Sequence, residues 1–78
     1  MSKTEVRNGA IVEGALWTLA RESEFAYGGR PYITVGQVAR DAGCSYPTAR
    51  KYLDILHQSG CAIQINLNGV LMYSPKEL

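Results

Sequence analysis

Cys44, His57 and Cys61 fall in the pattern C-x12-H-x3-C, three side chains able to bind a soft metal ion. A structural zinc site takes four ligands and usually begins with a close pair such as C-x2-C, and that pair is missing. A disulfide between the two cysteines is the other chemistry open to them. In an intracellular chain, reduced and partly buried thiols packing as small hydrophobes are the expected outcome. His57 is the only histidine, so no Ser/Cys–His–acid set is suggested by local spacing, and no phosphate-binding loop is present. The chain is therefore not expected to be an enzyme, and no metal, cofactor or small-molecule ligand is implied. His57 is expected to sit partly buried near a helix C-terminus, where a cation interacts favourably with the dipole.

A different chemistry is offered by "CSYPTARKYLDIL". Arg50 and Lys51 carry donors for anions and base edges, and Tyr46 and Thr48 add hydroxyls. If Ala49 centres a buried helix face, then Pro47, Lys51, Asp54 and Gln58 point away from it, with Arg50 and Thr48 on the flanks.

The elements that must position these groups are written nearby. Residues 46–59 read as a helix: Ser45 can cap it, Pro47 is tolerated in its first turn, and Gly60 ends it. Its stripe is Ala49, Tyr52, Leu53 and Leu56, at i, i+3, i+4 and i+7. The preceding helix, 35–42, has Thr34 and Gln37 as a capping box, the stripe Val35, Val38, Ala39 and Ala42, and Gly43 as its stop. Small Ala39 and Ala49 are expected where the two helices cross.

Residues 4–22 predict a first helix burying Val6, Ala10, Val12, Leu16, Trp17, Leu19 and Ala20. Arg7, Gly14, Thr18 and Arg21 lie opposite, and Ile11 falls on their side. Trp17 is expected as a core anchor. "ESEFAYGGRPYI" is read as the end of that helix, with Phe25 and Tyr27 covering the edge of the core and "PYI" as a brief strand. In 61–74, Ile63, Ile65 and Leu67 alternate with Gln64 and Asn66, and Asn68-Gly69 follows, which predicts a type I′ hairpin with Leu67 opposite Val70 and Ile65 opposite Met72. Those four are expected on one apolar face, with Gln64, Asn66, Leu71 and Tyr73 on the other.

Seventy-eight residues make one small domain, 46% apolar and 19% charged, hence globular rather than disordered. No apolar run is long enough to span a membrane, and "MSKTEVRNGAIVEG" has no long apolar signal region, so an intracellular protein (cytoplasmic or nucleoid-associated) is expected.

Helix, short strand, helix, tight turn, helix and hairpin: "ITVGQVARDAGCSYPTARKYLDILHQSG" followed by the Asn-Gly hairpin resembles the winged helix-turn-helix family. The resemblance covers residues 32–74 and, more loosely, the first helix. It implies a mainly α fold, three helices with a small antiparallel β-hairpin, and a function in sequence-specific double-stranded DNA binding by a small transcriptional regulator. The third helix would enter the major groove and the hairpin, or wing, would touch the flanking backbone or minor groove. Arg50 could then grip a guanine, Lys51 a base or phosphate, and Tyr46, Pro47 and Thr48 would meet the groove. Thr34 and Ser45 would set helix N-termini at phosphates, with Arg30, Arg40, Asn68 and Gly69 nearby.

Charge tempers that reading, because the net value is only +1. Residues 28–72 carry Arg30, Arg40, Arg50 and Lys51 against Asp41 and Asp54, while residues 1–27 are net acidic. The wing has no Lys or Arg, unlike many family members. A homodimer on two half-sites would double the contacts. The alternative, from another functional class, is a winged-helix module for protein–protein contact or a subunit of a larger complex. Exposed Ile11, Leu71 or Tyr73 would serve it.

Overall fold

The computed structural model describes residues 3–78, leaving aside the side chains of residues 3–6 and of Tyr27. The expectations for Val6 and Tyr27 therefore lie outside the described residues. Three helices and a three-stranded antiparallel sheet follow in the order α1 (Lys3–Tyr27), β1 (Ile33–Thr34), α2 (Val35–Ala42), α3 (Tyr46–Gln58), β2 (Ala62–Leu67) and β3 (Val70–Pro75). The sheet order is β1-β3-β2. The architecture is mainly α with a small antiparallel sheet. Among the described residues no helix is long and apolar enough to cross a membrane.

α1 buries Val12, Ala15, Leu16 and Ala20, with Leu19 packed against them. Those positions form one helical stripe, to which Ala15 belongs in addition to the expected residues. Ala10 lies off the stripe and is exposed. Ile11 is exposed as expected, at 40%. Trp17 is half-buried rather than a core anchor, and the Arg21 guanidinium stands 5.3 Å from its ring centroid. The helix also runs five residues beyond the expected end, to Tyr27. Nothing in Glu22–Ala26 opposes helix. The break comes only at Gly28, whose φ of 72° is left-handed and whose N–H donates to the Glu24 carbonyl at 2.8 Å. The extension carries Phe25 past the core, where it is 96% exposed instead of sealing an edge.

α2 and α3 form where their local signals place them. Thr34 Oγ1 accepts from the Gln37 N–H at 3.2 Å, and Gln37 Oε1 accepts from the Thr34 N–H at 3.0 Å. The far end closes on Gly43: its N–H reaches the Arg40 carbonyl while the Cys44 N–H reaches that of Ala39. Ser45 caps α3 through the Thr48 N–H at 3.3 Å. Gly60, with φ of 82°, ends it in the same manner, its N–H bonded to His57 and the Cys61 N–H to Leu56. Val35, Val38, Ala39, Ala49, Tyr52 and Leu53 are buried between these helices and α1. Thr34→Ala removes the hydroxyl that accepts from the Gln37 N–H, leaving the backbone N–H of residue 34 on Gln37 Oε1, and is expected to cost about 1 kcal/mol, read as a drop in Tm of about 4–8 °C. A melt within 1–2 °C of wild type, by the same scale, would show the cap to be idle.

The hairpin keeps the expected register, Leu67 opposite Val70 and Ile65 opposite Met72. Asn68 and Gly69 take φ of 53° and 83° at the turn. Which face looks inward is the reverse of what apolar alternation suggested. Ala62 and Tyr73 are buried, Leu71 packs on the core, and Ile33 of β1 joins them opposite Tyr73. Ile63, Ile65 and Met72 are half-buried on the outer face, while Leu67 and Val70 are 57% and 48% exposed. Packing against α1 and α3 decided this, because Tyr73 delivers more buried surface than any aliphatic residue of the outer face.

Candidate nucleic-acid interface

α2, α3 and the hairpin converge on a cleft of about 400 Å³. Its floor is the first turn of α2, with Thr34, Val35 and Gly36; one wall is Tyr46 and Arg50 of α3; the other is Asn66, Gly69, Val70 and Leu71 of the hairpin. The cap on Thr34 satisfies part of the α2 N-terminus, and the remaining first-turn N–H groups face an anion-favouring dipole end.

The predicted site residues are brought together only in part. Thr34, Tyr46, Arg50 and Gly69 line the cleft. Asn68 forms the exposed turn beside it, where the Gly69 N–H donates to Asn66 Oδ1 at 2.9 Å. Pro47 and Lys51 are exposed on the outer side of α3, and the Lys51 ammonium stands 5.3 Å from the Tyr52 ring centroid. Ser45 and Thr48 spend their hydroxyls on each other at 2.9 Å. Arg40 lies elsewhere, in a depression of about 330 Å³ with Leu19, Gln37 and Asp41. Arg30 is committed internally: Nη1 donates to the Pro75 carbonyl at 2.8 Å and to Ser74 Oγ at 3.4 Å. It ties down the end of β3.

Asp54 does not point outward with Pro47, Lys51 and Gln58, as the helical phase suggested. It turns to the hairpin. Its Oδ2 accepts from Arg50 Nε at 3.1 Å, and its Oδ1 accepts from Gln64 Nε2 at 3.2 Å and from the Tyr73 hydroxyl. Gln64 Nε2 also donates to the Tyr73 hydroxyl oxygen at 2.8 Å. The Asp54 charge holds the Arg50 guanidinium above its usual pKa. Burial pushes the Tyr73 phenol up as well, and its hydrogen bond to Asp54 adds to the shift. One signal for this cluster was present in the sequence, the i,i+4 spacing of Arg50 and Asp54. The hairpin partners came from tertiary packing.

His57 is exposed rather than partly buried, and its Nδ1 lies 3.2 Å from the Ala62 carbonyl at the start of β2. Cys44 and Cys61 are free thiols, half-buried and exposed respectively, and no cluster of three metal-ligating side chains occurs among the described residues. Comparison with family models, curated proteins and solved structures returned no match.

Proposed function

We propose that the chain binds double-stranded DNA as a winged helix-turn-helix domain of a small transcriptional regulator. α3 lies in the major groove and the β2–β3 hairpin rests on the flanking backbone. The observation that carries this reading is the cleft itself, where the α2 N-terminus, the Tyr46–Arg50 flank of α3 and the hairpin turn meet on one surface. A 13-residue helix is about 20 Å long and about 10–12 Å across, and so fits a groove about 12 Å wide. Lys51 and Pro47 project from the exposed side of that helix, and the Asn68-Gly69 turn is exposed as well.

With so few cations, one copy would hold duplex weakly and with a shallow salt slope. Two copies on half-sites about 34–36 Å apart repair this. Selection of bound duplexes from a random pool tests the reading. The expected result is an enriched motif, palindromic if the chain works as a homodimer. A pool that stays random, with no duplex retained at low salt, would overturn DNA binding. It would favour the second reading, a protein-contact module, for which the exposed Leu67 and Val70 on the outer sheet face are the supporting observation.

A further inference from the structure

We propose that Asp54 is a positioning residue, fixed by Tyr73 and Gln64 of the hairpin, that presents the terminal nitrogens of Arg50 end-on to a guanine edge. The inference rests on the DNA-binding reading and names the residue that would give it base preference.

Asp54 has one oxygen for each neighbour. Oδ1 is held by two groups of the sheet, the Tyr73 hydroxyl and Gln64 Nε2, and Oδ2 faces Arg50 Nε at 3.1 Å. Tyr73 is fully buried, so the anchor behind the carboxylate is part of the core. The carboxylate is therefore fixed before any ligand arrives, and the guanidinium plane is fixed through it. Among the described residues, Arg50 makes no other hydrogen bond, which leaves Nη1 and Nη2 free. Guanine shows two adjacent acceptors, O6 and N7, in the major groove, and a fork of two N–H groups matches them.

A phosphate is the poorer match. Phosphate affinity follows net positive charge. The charge of Arg50 is offset by a carboxylate 3.1 Å away, which would itself repel a phosphate. Base reading depends on geometry, and that is what the cluster supplies. The same cluster joins α3 to β2 and β3, so the hairpin and Arg50 keep one relative placement.

The test compares wild type, Asp54→Asn and Asp54→Glu by anisotropy titration at fixed salt. The probes are the selected duplex and versions with each guanine replaced in turn. Wild type is expected to prefer guanine at one position by about 5- to 150-fold. Asp54→Asn should erase most of that preference while binding the substituted duplexes as well or better, because an acidic group has gone. Asp54→Glu keeps the charge four residues from Arg50 and should recover part of the preference. A purely structural role would instead lower affinity for every duplex alike.

Unchanged discrimination in Asp54→Asn would sink the inference and leave DNA binding standing. So would an Arg50→Ala variant that loses affinity uniformly with a salt slope about one unit shallower, the mark of a phosphate contact. A wild-type chain that binds no duplex removes both. Independently of DNA, the Arg50 Nε–H resonance should exchange slowly in wild type and quickly in Asp54→Asn. Equal rates would overturn the positioning.

Discussion

Ala49→Glu is expected to abolish the cooperative unfolding transition and leave a chain without native far-UV helix signal. Ala49 is completely buried, within a core that includes Ala39 and Val38 of α2 and Leu53 of its own helix. A carboxylate there loses its hydration and meets no cationic partner, so it either stays charged at a cost of several kcal/mol or folds only when protonated. Its added volume also forces α2 and α3 apart. A domain of this size has about 4–12 kcal/mol of stability in total, so the combined cost consumes most or all of it. Ala49→Gly is the control. It adds no bulk and is expected to cost about 1 kcal/mol through lost helix propensity, a few degrees in Tm. An Ala49→Glu protein that melts at the wild-type temperature would mean that α3 is rotated from the phase described here.

The contrast between α2 and α1 explains what the sequence made legible. Both ends of α2 are local chemistry: Thr34, Gln37 and Gly43 act on backbone groups within a few residues, and the helix starts and stops there. The hairpin register is local as well, because Asn68-Gly69 constrains its own dihedrals and so which residues oppose. The far end of α1 has no such marker. Glu22–Ala26 are all compatible with helix, so the stop falls at the first residue in a left-handed conformation, Gly28.

Face selection in the sheet was illegible for another reason. Alternation divides the hairpin into two sets correctly, but it does not say which set meets the core. Ile65, Leu67, Val70 and Met72 look like the inner set by hydrophobicity. The neighbouring helices instead accept Ala62 beside Tyr73, with the phenol pointed at Asp54. The candidate site inherits that outcome. The cations were visible in the sequence, but the carboxylate that orients Arg50 was assigned to solvent, since a helical wheel records angle and not what stands beside the helix. Asp54 lies on the flank nearest the hairpin, together with His57 and Arg50, and all three make polar contacts across or along that seam.

Replacing Arg50 and Lys51 together by Ala tests the proposed function where its effect is largest. Both side chains are exposed, and their partners in the fold are modest: an i,i+4 pair with Asp54 and a cation–π contact on Tyr52. Asp54 keeps Tyr73 and Gln64 after the change, so its carboxylate is not orphaned. The double variant should therefore melt within about 4 °C of wild type. Its affinity for the selected duplex should fall by at least about tenfold, with the preference at one guanine lost and the salt slope reduced by about one unit for the Lys51 phosphate contact. These losses separate by titrating the single variants. Arg50→Ala should flatten the base preference, and Lys51→Ala should weaken every duplex equally. The net positive charge of residues 28–72 is small, so the loss should not be masked by general electrostatics. Full retention of affinity and preference in a double variant with native stability would exclude this flank of α3 from the DNA contact.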